Sequence, residues 1–305
     1  MKKKPEWKKL IDDVHEKHIS YICKEATDGL FFHYTSPNGL LGIISKSSVW
    51  FSNSDYLNDI SESDYFHEVS SNINMKGKPG KKAKNLAFRT YLISMFHSNR
   101  NGDGRQTFCR EKERRYIFSS SLDFDSLSLW NYYTKTADTI GYNIGFNLEK
   151  LINSLNLYSN QELLVGRVIY DCKTQKELLY ELYNDYFDIY EKYTHSYQRQ
   201  YLYESLEDNL TKYSVFMKNP AFMNENEFRV AIFEKGESQE KKHYREKNGA
   251  FIPYIIKEID INSVSSIKFS STTRADFVEA SVMDLCENYN IHNVITQKSQ
   301  IPIRY

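Results

Sequence analysis

The chain has few cysteines and no net charge, and each of these features excludes a class of protein. Its four cysteines, Cys23, Cys109, Cys172 and Cys286, lie far apart in 305 residues. They lack the close spacing of a zinc site or a redox dithiol, and so few in a long chain do not form a disulfide scaffold. The 40 basic and 40 acidic residues cancel, so no overall field draws the protein to nucleic acid or to a membrane.

Several familiar segments are also missing. No apolar run approaches the length of a membrane span. The first residues, MKKKPEWKKL, carry the charge of a signal peptide, but no apolar core follows them. The sequence contains no Gly-x-Gly-x-x-Gly and no Walker loop, so neither a Rossmann nor a P-loop route to a nucleotide is available. We therefore expect a cytoplasmic protein that contacts no membrane.

What the chain does have is tyrosine, with 24 residues against 3 tryptophans. Many of them belong to a helical pattern that runs from Gln175 to about Ser214, and a tyrosine stripe of this kind is more typical of a core than of a ligand site. Roughly nine strands alternate irregularly with helices, which predicts an α+β fold. We expect one domain over residues 1–305, with an N-terminal helix within 1–28 and a helical segment over 174–214.

The stretch from Leu30 to Glu62 organises the rest of the chain. A strand ends in His33 and Tyr34, a short helix follows, and a second strand, Val49–Asn53, leads into a polar loop. Polar groups that gather where buried strands end are typical of a site presented on loops by a rigid sheet. The same pattern also fits an ordinary strand, helix and strand joined by turns.

The order of motifs along the chain resembles the bacterial family of domains of unknown function numbered 2971. The shared motifs are short, and their order carries the resemblance. Ile60 stands where that family usually has proline. The matching segments run from Leu30 to Ile232 and comprise Phe32-His33-Tyr34, Trp50-Phe51-Ser52, Leu57-Asn58-Asp59 with Glu62, Phe118-Ser119, Trp130 to Phe146, and Glu225 to Arg229.

That family is in turn distantly similar to the ADP-ribosyltransferase fold. The resemblance implies a split, bent β-sheet with flanking helices, the 174–214 segment as a long helical insertion, and NAD as the substrate, with no metal. It implies Glu227 as the catalytic glutamate, with Glu225 beside it. The residues that it places around NAD are His33, Tyr34, Ser52, Asn58, Ser119 and Arg229, with either Tyr132 or Tyr133 as the ring that stacks on nicotinamide.

The chemistry of these residue types agrees with that role. Cleavage of the bond between nicotinamide and ribose develops positive charge on the sugar, which a carboxylate such as Glu227 would stabilise. Strand alternation would place Glu225 and Arg229 on the same face as Glu227, and Glu225 could then act as general base for the acceptor. A solvated face flanking Phe228 would show the same alternation.

Two other functions fit the sequence. Asp55, Asp59 and Glu62 could bind Mg²⁺ in a nuclease, with the basic segment 76–115 holding nucleic acid. This segment has twelve Lys or Arg against three Asp or Glu, although a charge run is also typical of a solvated surface. A third interpretation is a non-catalytic module that senses a nucleotide or binds a partner protein.

If the protein is a transferase, its acceptor is a protein, a nucleic acid, a small molecule or water, and the sequence does not distinguish among them. The family resemblance also suggests a toxin or phage-defence effector that a regulatory partner protein restrains.

Overall fold

The computed structural model describes most of the chain. The residues that it describes are 4–23, 29–56, 61–73, 86–92, 113–133, 140–247, 249–272, 274–292 and 294–301. Their contacts divide the chain into two compact units. One comprises Met1–Glu25, Asp55–Arg114 and Gly166–Phe222, and the other comprises Ala26–Ser54, Arg115–Val165 and Met223–Tyr305. The single domain predicted over residues 1–305 stays a prediction.

The first unit is helical. Its long helices form where apolar and aromatic residues recur at helical spacing. The helices of this unit are α1 (Glu6–Cys23), α3 (Ser61–Ser71), α4 (86–92), α7 (Cys172–Lys192) and α8 (Ser196–Phe216). Within the parts of the chain that the structure describes, no helix is long and apolar enough to cross a membrane.

The predicted run from Gln175 to Ser214 is two helices, because the chain leaves the helical conformation at Tyr193 and α8 starts only at Ser196. The core interpretation of its tyrosines is confirmed for Tyr186 and Tyr190, which are buried. It is wrong for Tyr197, which is 57% exposed.

Helix α1 docks on α7 and α8 through His18. The His18 side chain is fully buried. Its Nδ1 lies 2.9 Å from the Tyr213 hydroxyl, and its Nε2 lies 3.0 Å from a carboxylate oxygen of Asp185. Burial lowers the pKa of His18 despite the Asp185 carboxylate. Both ring nitrogens are therefore used to join three helices.

The second unit is an open, bent sheet flanked by helices, so the mixed α and β class is confirmed. The strands follow the order β10-β9-β4-β1-β3-β2-β8-β7, and β6 pairs with β3 and β5. All registered pairs are antiparallel except that of β9 with β10. The strands are β1 (Leu30–Thr35), β2 (Ser48–Asn53), β3 (Glu113–Ser121), β4 (Tyr142–Asn147), β5 (Gln161–Arg167), β6 (Glu227–Lys235), β7 (His243–Lys247), β8 (Ala250–Glu258), β9 (Val264–Phe269) and β10 (Ile295–Lys298), and the helices are α2 (Pro37–Lys46), α5 (Leu127–Tyr133), α6 (Leu148–Ser154) and α9 (Ala275–Asn288).

Four phenylalanines from four strands form the centre of this unit. The Phe31 ring lies 6.2 Å from Phe118, 5.6 Å from Phe146 and 5.5 Å from Phe228, measured between ring centroids. Aromatic pairs at such distances stabilise a core beyond the area that they bury. The prediction that the first strand and the Phe228 strand share one core is therefore confirmed.

Gly145 on β4 allows neighbouring strands to approach closely. It lies opposite Phe32 and Ser266 in the sheet, and a Cβ atom there would meet the Ser266 hydroxyl oxygen at 2.3 Å and the Phe32 ring at 3.2 Å. The glycines at alternate positions in this segment, Gly141 and Gly145, predict close approach of a neighbouring strand, and the contacts at Gly145 confirm it.

Candidate functional site

Strand β3 connects the strands that carry four of the predicted residues. Phe32 on β1 is registered with Ser121, and Ser52 on β2 is registered with Ile117. On β6, the Phe228 carbonyl accepts a hydrogen bond of 2.6 Å from the Ser120 hydroxyl. His33, Ser52, Ser119 and Glu227 therefore lie on β3 or on strands that pair with it.

His33 bridges the space between β1 and β3. Its Nδ1 donates a hydrogen bond of 2.9 Å to the Ser119 carbonyl, and its ring lies 4.7 Å from that of Phe118. Burial, together with the positive charge of Arg245, lowers the pKa of His33 to about 4. The ring is therefore neutral at pH 7, and with Nδ1 protonated its Nε2 is a hydrogen-bond acceptor.

Arg245 is a further candidate site residue, and the sequence did not reveal it. It lies on β7, which was not identified as a strand, and its Nη2 donates a hydrogen bond of 2.9 Å to the buried Ser52 hydroxyl. Its charge also acts on His33 and Tyr254. The available signal was the alternation in His243-Tyr244-Arg245, but two lysines precede it and make the segment resemble a charged loop.

Glu227 and Arg229 form a buried pair at the start of β6. The Nε atom of Arg229 donates to one carboxylate oxygen of Glu227 and its Nη2 donates to the other, both at 2.8 Å. The residues are 6% and 1% exposed. The expectation that Glu227 lies at a pocket rim, where its substitution would barely affect folding, is therefore wrong. Two parallel, charge-assisted bonds fix the orientation of this carboxylate.

Glu225 does not lie on that strand face. It ends a 3₁₀ helix, Pro220–Glu225, and Asn226 then takes the left-handed conformation with φ 41° before β6 begins. The strand alternation that placed Glu225 beside Glu227 is interrupted by this turn, so the shared face is wrong. The Glu225 backbone carbonyl accepts a hydrogen bond of 2.7 Å from the Ser121 hydroxyl.

The Tyr34 hydroxyl forms two hydrogen bonds with the backbone of the loop that follows β3. Its hydroxyl donates to the Asp123 carbonyl and accepts from the Ser126 amide, both at 2.9 Å. Its ring packs edge-on against the buried Trp130 at 4.8 Å, which confirms Trp130 as core. Burial raises the pKa of Tyr34. Its hydroxyl is thus already engaged by two protein groups.

The remaining residues predicted to bind NAD lie on α5 or outside the described residues. Tyr132 lies on α5 and is 56% exposed. Tyr133 ends the same helix, and its side chain is outside what the structure describes. Asn58 and Asp59 fall in the segment 57–60, which also lies outside the described residues.

The acidic loop belongs to the helical unit, whereas the basic segment reaches Arg115 in the sheet unit. Glu62 starts α3, as predicted, and its carboxylate lies 3.1 Å from the Lys218 ammonium group. Among the described residues, no three His, Cys, Asp or Glu side chains are placed to hold a metal ion. Most of segment 76–115 lies outside the described residues, and its last arginine, Arg115, is only 4% exposed. Arg115 is therefore not a surface cation.

Asp125 is a second feature that the sequence analysis missed. Its carboxylate accepts hydrogen bonds from the Trp130 indole at 2.7 Å, the Ser299 hydroxyl at 2.6 Å and the Gln300 amide at 3.0 Å. The Lys268 ammonium group lies 3.3 Å from it. Burial alone would raise the pKa of Asp125, but these partners outweigh it and lower the pKa. Nothing local in the sequence marks contacts between residues so far apart.

Comparison with known proteins gives one match. A family model described as Protein of unknown function (DUF2971) matches residues 129–230. No curated protein and no solved structure matches the chain. The matched span runs from α5 into β6 and includes Glu227 and Arg229, but not His33. Over these residues the chain is similar to this family of unknown function.

Proposed function

We propose that the protein is an NAD-dependent ADP-ribosyltransferase or NAD glycohydrolase whose site lies around β3. The observation that supports this most is the arrangement of three strands: β1 carries His33, β3 carries Ser119, and β6 carries the oriented carboxylate of Glu227. The family resemblance assigns the same three strands to NAD binding and cleavage.

Glu227 is the group that acts on the transition state in this proposal. When the bond from nicotinamide to C1′ of the ribose breaks, its electron pair neutralises the pyridinium nitrogen and positive charge develops on the sugar. The carboxylate of Glu227 stabilises this charge in the proposed reaction. Because Arg229 fixes the carboxylate beforehand, little reorganisation is needed during the reaction.

His33, Ser52 and Arg245 are the binding groups. The neutral His33 ring accepts a hydrogen bond from a ribose hydroxyl through Nε2, while Nδ1 stays on the Ser119 carbonyl. Arg245 supplies positive charge on the Ser52 side, as a diphosphate requires. The acceptor nucleophile forms the new bond to C1′ as its proton passes to water. The acceptor is a protein, a nucleic acid, a small molecule or water.

Nicotinamide release from NAD, measured without added metal, tests the proposal. The wild-type protein should release nicotinamide, and Glu227→Gln should be slower by on the order of a hundredfold, roughly 3 kcal/mol. Glu258→Gln is a matched control, since Glu258 is an exposed glutamate at the end of β8. Absence of nicotinamide release by the wild type, or full activity in Glu227→Gln, would overturn the proposal.

A non-catalytic nucleotide-binding module is the second candidate. The observation in its favour is that Arg229 already occupies both oxygens of Glu227 in a buried pair. Such a pair also serves as a purely structural element. In that case NAD or a related nucleotide should raise the melting temperature of the protein with no release of nicotinamide.

A further inference from the structure

The helical unit contains a cavity of about 630 Å³ that none of the predicted residues lines. Its size lies in the range of small-molecule sites. The wall is built mainly from the first turns of α8, with one residue from α4. The lining residues are Tyr91, Thr194, Ser196, Arg199, Gln200, Tyr203 and Glu204.

Arg199 is the cation of this cavity. Its guanidinium group lies 4.3 Å from the centroid of the Tyr190 ring. Its Nε is buried with no hydrogen-bond acceptor. No carboxylate among the described residues forms an ion pair with it. A cation without an ion-pair partner that lines a cavity is a natural binding group for an anion, and the terminal amino groups of a guanidinium can bind two oxygens of a phosphate at once.

The anion would also meet the beginning of a long helix. Ser196 is the first residue of α8, which extends for 21 residues, and Thr194 precedes it by two positions. The first amide groups of a helix have no partner within it and carry partial positive charge. Their hydroxyl neighbours and Arg199 converge on the same cavity.

The remaining walls of the cavity can contact the parts of a ligand other than its anionic group. The rings of Tyr91 and Tyr203 stack with their centroids 3.4 Å apart and their planes 16° apart, which provides a flat apolar surface. On the other side, the Gln200 amide donates to the Glu204 carboxylate at 3.2 Å. Carboxylate and amide groups of this kind accept hydrogen bonds from sugar hydroxyls.

We propose that this cavity binds an organic phosphate of the nucleoside monophosphate class. The phosphate contacts Arg199 and the start of α8, the sugar hydroxyls face Glu204 and Gln200, and the base lies against the tyrosine pair. This site is separate from the one around β3 and does not depend on NAD cleavage.

Calorimetric titration with AMP, adenosine and inorganic phosphate tests the proposal. AMP should bind more tightly than either of its parts, and higher ionic strength should weaken it. Arg199→Gln keeps a polar side chain but removes the charge, and it should weaken AMP binding by about tenfold or more, because it removes charge-assisted bonds to the phosphate. Lys192→Ala is the control, since Lys192 is an exposed cation at the end of α7 and does not line the cavity.

The variants also separate this cavity from any nucleotide site elsewhere. Ser196→Ala removes an exposed hydroxyl of the cavity wall and should weaken binding of AMP and of inorganic phosphate while leaving the melting temperature unchanged. No binding of AMP at millimolar concentration would overturn the proposal. Equal AMP affinity in the wild type and Arg199→Gln would do so as well.

Discussion

At the scale of single residues, the Glu227–Arg229 pair is expected to affect both catalysis and stability. A single substitution in the pair changes both at once. Loss of one partner leaves the other charge buried, which costs about 3–5 kcal/mol of stability. That cost is similar in size to the expected loss in catalysis, so a slow Glu227→Gln protein could simply be partly unfolded. Activity and stability therefore have to be measured on the same samples.

A double-mutant cycle separates the two effects. Glu227→Gln and Arg229→Gln should each lower the free energy of unfolding by several kcal/mol, about 3–5 by the usual cost of a broken buried pair. The double variant should lose less than their sum, because two neutral amides leave no buried charge. Its nicotinamide release should stay low, however, since the carboxylate is absent. Urea unfolding measures the stability, and strictly additive losses would show that the two residues are not coupled.

His33 makes stability depend on pH. Its pKa is lowered to about 4 in the folded protein, against about 6.5 in an unfolded chain. Between these values the unfolded state binds a proton that the folded state does not, so stability falls as the pH drops from 6.5 to 4. His33→Gln should show a shallower fall across this range. His18 contributes in the same direction, so the comparison of wild type with His33→Gln isolates the His33 part.

At the scale of elements, the turn at Asn226 decides where β6 begins. Its left-handed conformation costs most residues about 1–2 kcal/mol, and its side chain also donates to the Asp123 carboxylate at 2.8 Å. This turn separates Glu225 from the strand face of Glu227. A sequence pattern that alternates cannot show such a turn, because asparagine is common both before strands and within loops.

Two substitutions at Asn226 separate the backbone from the side chain. Asn226→Gly loses the hydrogen bond to Asp123, but glycine adopts the left-handed conformation without strain. Asn226→Ala loses the same hydrogen bond and also strains the backbone. Asn226→Ala should therefore be less stable than Asn226→Gly by about 1 kcal/mol. Thermal unfolding of both variants measures this, and equal stabilities would show that the backbone conformation carries no cost at this position.

The helical pattern and the sheet pattern were predictable from sequence to different degrees. The helices of the tyrosine-rich run were predictable because burial on one face imposes a regular spacing of apolar and aromatic residues. The break between these helices at Tyr193 was not predictable, since no proline or glycine marks it. The core strands of Phe31 and Phe228 were visible as aromatic runs, but the edge strand β7 was not, because its exposed face is charged.

At the scale of the whole molecule, the proposed activity has a consequence for a host cell. An enzyme that cleaves NAD without restraint depletes a cofactor that growth requires. Expression in bacteria should therefore slow growth and lower cellular NAD, and Glu227→Gln, matched for the amount of folded protein, should do neither. Full expression of the wild type with unchanged NAD would count against a toxin or defence role and against the need for a restraining partner.

The site was harder to predict than the fold for a physical reason. Residue types such as Glu227 and His33 could be chosen from the chemistry that they perform. Their environment depends on partners that are distant in sequence, such as Arg245 for His33 and Ser52. Burial of Glu227 was missed because a carboxylate is normally exposed unless paired, and the pairing with Arg229 is not visible in the alternation alone.

The Asp125 carboxylate has a consequence for the order in which the chain acquires its structure during synthesis. Two of its hydrogen-bond donors, Ser299 and Gln300, lie 174 and 175 residues further along the chain. A ribosome at about 5–20 residues per second takes roughly ten to thirty seconds to reach them. During that interval the carboxylate has only nearer partners and water. Residues 125–130 should therefore reach their final packing only after the last strand has been translated, and nascent chains stalled before Ser299 should be cleaved by protease there.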